Sequence, residues 1–309
     1  MSSQDIRIAK EVLRLRLSQM LINERYKTGA FKIPVHLAMG HEAIAVALSA
    51  VMESEDVLAC SHRNVHYNLA RAGSLRPILA EYLLKKDGLA GAELGSMNLA
   101  NPEKNLVYTS SILGNDLPIA TGLALGEKVR GTGGFTIVVT GDGAMEEGSF
   151  YESVLFMNSN SLPVLLIVEN NTWSMHTQVH ERRTQIDVQG FAGSLGAQYA
   201  KFAGNDVYAY IEELKKFRGQ ILKNNSPLVL EVDLMTLGGW HVEEGEAKTK
   251  RFIHPHAGAL PPVEIKEWPV LEESANDPVF VLKSNFSEDD LKSASKEMLT
   301  ALNEEISGI

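Results

Sequence analysis

The stretch GDGAMEEGSFYESVLFMNSNSLPVLLIVENN, residues 141–171, carries the most informative pattern in the chain. An apolar, β-branched run, FTIVVTG at 135–141, leads into it, and LPVLLIVEN at 162–170 is a second run of the same kind. Short apolar runs that end in turn residues predict buried strands. Between the two runs, apolar residues are spaced to share one face of a short helix: Phe150, Val154, Leu155 and Met157. The pattern therefore predicts strand, helix, strand, a crossover that joins two parallel strands.

Two polar residues, Asp142 and Asn171, follow the two predicted strands directly. Because open parallel sheets bind ligands beyond the carboxyl ends of their strands, both side chains are expected at one site. A carboxylate and an amide oxygen suit a hard cation such as Mg²⁺, which completes its shell with water and substrate phosphates. Gly141 and Gly143 leave space for a phosphate close to the backbone. Either GDG or NN alone is usually only a turn, but together they predict a magnesium and phosphate site.

Composition narrows the class of protein further. The 309 residues are 44% hydrophobic and 22% charged, which predicts a large core and one α/β domain rather than two. The net charge of −10, without a basic run, argues against nucleic acid and anionic membrane surfaces and favours a small substrate. A single cysteine, Cys60, sits in an apolar run and predicts a core thiol in a reducing compartment. No apolar stretch reaches membrane-spanning length and the first residues lack a hydrophobic segment, so we expect a cytoplasmic protein.

The remaining periodicity predicts an α/β fold, with a mainly parallel sheet flanked by helices on both faces. Predicted strands cover 56–61, 135–141, 162–170 and 227–235, and predicted helices cover 40–52, 74–86, 114–131 and 205–224. An amphipathic N-terminal helix at 5–28 and a C-terminal helix at 287–306 are expected as peripheral elements of a single domain, 1–309. Residues 87–112 and 236–285 are predicted to be irregular.

Five segments resemble, in order, the α subunits of the thiamine diphosphate-dependent 2-oxo acid dehydrogenase first component, of which pyruvate dehydrogenase is the best known. They are ERYKTGAFKIPVHLAMGHEAIAVAL, SHRNVHYNLARAGSLRPILAEYL, GSMN, SILGNDLPIATGLALG and LPVLLIVENNTWSMHT. The resemblance spans nearly the whole chain, and a more distant one to transketolase rests mainly on the GDG segment. The resemblance to the dehydrogenase α subunits implies the thiamine diphosphate-binding fold, with thiamine diphosphate and Mg²⁺ as cofactors.

The resemblance also implies roles for individual residues. The side chains of Asp142 and Asn171 and the backbone carbonyl of Trp173 correspond to the magnesium ligands. The cofactor-binding set that it implies is Arg63, Ser111, Leu113, Gly141, Asp142, Gly143, Ala144, Asn171, Trp173 and Ser174. Within this set, Arg63 is expected near the diphosphate, and Ser111 and Leu113 at the aminopyrimidine. The candidate catalytic histidines are His36, on the substrate side, His66 and His241.

Three positions depart from the family pattern. Asn98 stands where the family has a histidine, and an amide hydrogen-bonds but does not titrate. In a later loop, Thr236 stands at a family arginine and Trp240 at a family histidine, with His241 one place late. The segment around Trp240 and His241 is predicted to be a mobile loop that orders over the diphosphate. These departures leave cofactor binding in place and leave the substrate open.

The resemblance implies the α subunit of an enzyme that decarboxylates a 2-oxo acid such as pyruvate and passes on the acyl unit. The glutamate that activates the cofactor is expected from a β-type partner subunit, with two copies of each chain, and a lipoyl acyltransferase is a candidate further partner. One alternative is the α half of a split transketolase-like enzyme with an aldehyde or sugar-like acceptor. Another is a non-catalytic subunit, against which both intact motif ends argue.

Overall fold

The computed structural model describes residues 5–244 and 249–309. The helices are α1 (Ile6–Lys27), α2 (Glu42–Val51), α3 (Val65–Ala72), α4 (Arg76–Tyr82), α5 (Asp116–Arg130), α6 (Gly148–Ser159), α7 (Val179–Arg182), α8 (Val188–Ser194), α9 (Val207–Asn224), α10 (Pro278–Val281) and α11 (Glu288–Glu305). The strands are β1 (Val57–Ser61), β2 (Leu106–Ser110), β3 (Thr136–Gly141), β4 (Val164–Asn170), β5 (Trp173–Ser174), β6 (Thr177–Gln178), β7 (Gln198–Phe202), β8 (Leu228–Asp233), β9 (Trp240–Glu244) and β10 (Thr249–Ile253).

A six-stranded sheet forms the centre of the molecule, in the order β2-β1-β3-β4-β8-β7. Every neighbouring pair in it is parallel, which confirms the predicted fold class. The crossover predicted from the GDG and NN segment is present, because β3 and β4 pair directly with Gly141 opposite Glu169. Asp142 and Asn171 therefore follow adjacent strands at the same edge of the sheet.

Both faces of the sheet are covered, because successive side chains of a strand point to opposite sides. In β3, Ile137 and Val139 join a core formed mainly with α1, α2 and α9, whereas Val138 joins a second core with α5, α6 and α8. Strands buried on both faces are apolar at nearly every position, which explains why β3 and β4 are easy to recognise in the sequence. Within the described residues, no helix is both long enough and apolar enough to cross a membrane.

The first helix lies deeper than the sequence pattern predicts. Residues 12–23 are all buried, so α1 is a core helix rather than an amphipathic, peripheral one. Arg16 is fully buried there, and its guanidinium forms ion pairs with Glu42 at 2.7 Å and Asp277 at 2.9 Å. The prediction was wrong because the buried charge of Arg16 is neutralised by partners distant in sequence.

The two segments predicted to be irregular contain regular structure. Strand β2 and a fixed loop lie within 87–112, where the buried carboxylate of Glu81 accepts backbone hydrogen bonds between 2.8 and 3.0 Å from Ala90, Ala92, Leu94 and Gly95. Within 236–285, β9 and β10 pair as an antiparallel hairpin that contains Trp240 and His241. The predicted mobile loop is therefore a hairpin in its described part, and residues 245–248 lie outside that part. Helix α3 and strand β7 were also missed, and the helix predicted at 74–86 ends at Tyr82.

Candidate cofactor site

A cavity of about 280 Å³ lies at the edge of the sheet where β1, β2, β3 and β4 end. Every residue predicted to bind cofactor lines it: Arg63, Ser111, Leu113, Gly141, Asp142, Gly143, Ala144, Asn171, Trp173 and Ser174. The predicted substrate-side histidine, His36, lines it as well. A larger cavity of about 830 Å³ adjoins it at Asn171 and Trp173 but lacks Asp142 and the glycines of the motif. The smaller cavity is therefore the candidate site.

Asp142 supplies a buried negative charge to this cavity. Its carboxyl is 1% exposed, and burial, opposed by Arg182 and Arg183, raises its pKa to about 6. Oδ2 accepts a hydrogen bond from Nη2 of Arg182 at 2.9 Å. A carboxylate held this far from water needs a cationic partner, and a metal ion bound here would compete with Arg182 for it.

A hydrogen-bonded chain fixes the second predicted metal ligand. Asn171 donates from Nδ2 to Oγ1 of Thr236 at 2.9 Å, and its Oδ1 accepts from the backbone N–H of Trp173 at 3.0 Å. Thr236 also lies 2.9 Å from Nε2 of His41, whose Nδ1 lies 3.1 Å from Oε2 of Glu169. The threonine at the family's arginine position thus holds the Asn171 amide. Sequence reasoning missed this role because residues 171 and 236 are far apart in the chain.

Glu169 is the centre of a buried polar cluster below the cavity. Its Oε1 accepts from the hydroxyl of Tyr67 at 2.8 Å and lies 2.9 Å from Nε2 of His66. Burial alone would raise the pKa of Glu169, but His66 and His41 hold it below its ordinary value. His66 is fully buried in this cluster and does not line the cavity, so the structure does not bring this predicted catalytic histidine to the site.

Backbone and apolar groups shape the rest of the cavity. A Cβ at Gly143 would lie 2.7 Å from Oγ of Ser174, so only glycine leaves this approach to the backbone open. Leu113 is half-exposed in the cavity wall, where its apolar side chain could support a bound ring. Asn98, at the family's histidine position, accepts from the backbone N–H of Ser111 at 3.2 Å and so fixes this segment.

The histidines of the site differ from the predicted set. His241 lies exposed on β9, with its ring 5.3 Å from that of Phe252, and does not line the cavity. The cavity is lined instead by His36, His41, His62 and His256. His36 is a poor proton carrier at neutral pH, because burial and the nearby Arg63 lower its pKa to about 2. As a candidate catalytic histidine, His36 therefore fits hydrogen bonding better than proton transfer near neutrality.

Asp116 is a further acidic residue of the cavity that sequence reasoning missed. It is the first residue of α5, is 1% exposed, and burial raises its pKa to about 7. Within the described part of the chain, its Oδ2 has no hydrogen-bond partner. The sequence carried a signal for this residue, because Asp116 follows Gly-Asn at the start of a helix. It also comes shortly after the end of β2, at the edge where parallel sheets bind ligands.

A site of this form, with a carboxylate, an amide and glycine backbone beyond the carboxyl ends of a parallel sheet, is typical of thiamine diphosphate-dependent enzymes. The chain belongs to the dehydrogenase E1 component family, whose sequence profile matches residues 12–252. The α subunit of the pyruvate dehydrogenase E1 component from Rickettsia bellii is 28% identical over 97% of this chain and 89% of its own length. The equivalent subunit from Rickettsia conorii is 31% identical over 74% of this chain and 70% of its own. The resemblance stated from the motifs is confirmed, and the chain is an enzyme of the 2-oxo acid dehydrogenase type.

Solved structures agree on the fold. Transketolase from Pichia stipitis, in complex with fructose 6-phosphate, aligns with a TM-score of 0.61 at 15% identity. The alignment covers 96% of this chain and 46% of transketolase, so this chain spans about half of that protein's length. At this identity the comparison supports the thiamine diphosphate-binding fold alone.

Proposed function

We propose that this chain is the α subunit of a thiamine diphosphate- and Mg²⁺-dependent enzyme that decarboxylates a 2-oxo acid such as pyruvate and passes the acyl unit to an acceptor. One observation carries the proposal: Asp142 and Asn171 follow adjacent parallel strands and line one cavity together with the glycine backbone at 141 and 143. The same proposal places the enzyme in the cytoplasm, where a buried, unpaired Cys60 is stable.

The carboxylate of Asp142, the amide oxygen of Asn171 and the carbonyl of Trp173 would hold Mg²⁺, because hard oxygen donors suit this ion. Thr236 orients the amide by accepting from its Nδ2, which leaves the oxygen as the only atom able to bind a cation. Thiamine diphosphate held here would supply the carbon nucleophile and the electron sink that decarboxylation of a 2-oxo acid requires. Leu113 supports the cofactor from the cavity wall, and His36 stays neutral and hydrogen-bonds to the substrate.

The glutamate that activates the cofactor would come from a β-type partner. Three carboxyl groups of the described chain line the cavity: Asp142 is assigned to the metal, Glu169 is held by two histidines, and Asp116 is an aspartate at a helix start. None of them is a free glutamate. A lipoyl acyltransferase would then accept the acyl unit.

An exposed apolar face on α5 and α6 supports the position of this partner. Its large apolar side chains are Ile119, Leu125, Val129, Tyr151, Leu155 and Phe156. Leu125 and Phe156 line one surface patch between the two helices, and an exposed apolar patch marks an interaction surface. The face adjoins the cofactor cavity, because Ser149 on the border of the patch donates a hydrogen bond to the carbonyl of Gly114 in the cavity wall at 3.1 Å. A subunit seated on this face would reach the cofactor.

Cofactor titration tests the core of the proposal. Calorimetry with thiamine diphosphate and Mg²⁺ should give saturable binding to the wild-type chain, and Asp142→Ala should abolish the magnesium-dependent part while the circular dichroism spectrum stays unchanged. The matched control is Asp233→Ala, which removes an aspartate at the end of β8 whose side chain is 44% exposed. Unchanged affinity in the Asp142 variant would refute the metal assignment.

A different acyl or ketol acceptor is the second candidate function. The observation that favours it is Thr236, which replaces the arginine of the family's loop and is buried in a structural hydrogen-bond chain rather than free for a substrate. With the partner present, turnover of pyruvate with lipoamide would support the dehydrogenase reaction. Turnover only with an aldehyde acceptor would support the transferase reaction.

A further inference from the structure

Three histidine rings form a cluster at the cavity, and the proposed reaction uses only one of them, His36. His36 precedes α2, His62 follows β1, and His256 follows β10. The ring centroid of His36 is 4.6 Å from that of His62 and 4.9 Å from that of His256, and the latter two centroids are 5.7 Å apart. Each ring offers one nitrogen such that the three nitrogens all lie within 4.8 Å of one another.

One ring of this cluster lacks a hydrogen bond that a buried histidine normally makes. His36 is only 6% exposed, yet its Nδ1 has no partner among the residues that the structure describes. A buried polar atom without a partner requires an explanation, such as an ion. The other histidine cluster at this site differs, because His41 and His66 both contact the carboxylate of Glu169. The two rings of that cluster share a carboxylate, although Nδ1 of His66 also lacks a partner among the described residues.

We propose that His36, His62 and His256 form a binding site for a divalent transition metal, with Zn²⁺ as the best match, separate from the magnesium site. Imidazole nitrogen suits zinc, whereas carboxylate and carbonyl oxygen suit magnesium, so the two sites select different ions. Zinc bonds to nitrogen at about 2.0–2.1 Å, which places two ligand nitrogens of a tetrahedron ~3.4 Å apart. The three nitrogens lie within 4.8 Å of one another, so the rings would move closer together to hold the ion. Three protein ligands leave a fourth position for water or a small anion.

The surrounding charges set how firmly this site holds a metal. Burial, together with Arg63, lowers the pKa of His62 and of His256 to about 4, so both rings are neutral at pH 7 and lose no proton on binding. Arg63 opposes the charge of a bound cation, and its guanidinium is fixed nearby by hydrogen bonds to the carbonyls of Leu37 and His256. We therefore expect reversible binding that is weaker than in a closed structural zinc site.

Cobalt titration of the full chain, freed of any affinity tag, tests the proposal. Co²⁺ reports its own ligands through visible absorption bands, and the wild-type chain should bind one equivalent with the spectrum of a low-coordinate nitrogen site that excess Mg²⁺ does not displace. His62→Gln and His256→Gln should each weaken binding by at least about tenfold. The control is His180→Gln, which changes an exposed histidine of α7.

Equal cobalt binding by the wild-type chain and both cluster variants would overturn the proposal, as would displacement of cobalt by Mg²⁺. If a variant does not fold, thermal melting of the wild-type chain shows whether the metal binds. A metal that binds only the native state raises Tm. Zinc should raise the Tm of the wild-type chain and of His180→Gln, and the absence of any rise would contradict the site. Failure of cofactor binding would leave this result unaffected, since none of the three histidines is a proposed magnesium ligand.

Discussion

At the scale of one residue, Thr236 departs from the family pattern and has a structural role at the site. Its hydroxyl accepts from Asn171 and contacts His41, so it links a predicted metal ligand to the buried carboxylate of Glu169. Thr236 is only 5% exposed, so this link is buried. The hydrogen bond from Nδ2 fixes which atom of the Asn171 amide faces the cavity. Thr236 is therefore a positioning residue.

Replacing this hydroxyl should weaken metal binding without unfolding the chain. Thr236→Val keeps the side-chain shape and leaves Nδ2 of Asn171 and a ring nitrogen of His41 unpaired, which costs about 1–3 kcal/mol per buried group. We expect a higher Kd for Mg²⁺-dependent cofactor binding, measured by calorimetry, and recovery in Thr236→Ser. A purely structural role would leave the Kd of the folded fraction unchanged in Thr236→Val, whatever the fall in Tm.

Asp116 should make stability depend on pH. Its pKa is raised from 3.8 to about 7 in the folded chain, so between these values the unfolded state is ionised while the folded state still holds the proton. Stability is therefore lost as pH rises from about 4 to 7, by up to about 4 kcal/mol. Asp116→Asn removes this loss. The free energy of unfolding in urea, measured for the variant relative to wild type, should therefore be higher at pH 8 than at pH 5. Asp233→Asn is the exposed control, and a pH-independent difference for Asp116→Asn would contradict the prediction.

At the scale of elements, one buried ion cluster joins α1 to α2 and to the segment before α10. Arg16 contacts Glu42 and Asp277, and all three side chains are 0% exposed. Arg16 also donates to the carbonyl of Pro269, so it ties the long C-terminal segment to the core. This cluster explains why a helix with alternating arginines is buried.

Removal of the Arg16 charge should destabilise the whole chain. Arg16→Met leaves Glu42 and Asp277 buried without a cation, and breaking a buried pair in this way costs about 3–5 kcal/mol. Lys10→Met is the matched control on the same helix, because its pair with Glu297 is exposed and contributes about 1 kcal/mol or less. The free energies of unfolding in urea measure both changes, and equal losses in the two variants would contradict the prediction.

At the scale of the whole molecule, the α5–α6 face predicts assembly. Phe156→Glu should place a charge on this face and prevent association with the β-type partner, while the isolated chain keeps its fold because Phe156 is exposed. Mass measurement of the co-purified complex would show this loss, with Lys292→Glu on α11 as an exposed control. The isolated wild-type chain should bind cofactor but turn over no 2-oxo acid. Robust turnover by the chain alone would mean that a carboxyl within it, with Asp116 the nearest candidate, activates the cofactor.

The sequence by itself determined four of the six strands of the central sheet and the residues of the candidate cofactor site. Strands β1, β3, β4 and β8 were predicted because strands buried on both faces carry an uninterrupted apolar signal. Residues that follow such strands, including Asp142 and Asn171, could be placed at one edge because parallel strands end together. Local pattern and parallel topology were sufficient for both results.

Only the tertiary structure decided how this site is supported and which histidines reach it. The edge strands β2 and β7 are short and partly exposed, so they lack the continuous apolar signal, and the β9–β10 hairpin is likewise half exposed. Three contacts at or near the site join residues that are far apart in the chain. They are those of Thr236 with Asn171, of Arg16 with Asp277, and of His36 with His256. Such contacts carry no local periodicity, because they depend on how separate elements pack rather than on the sequence around each residue.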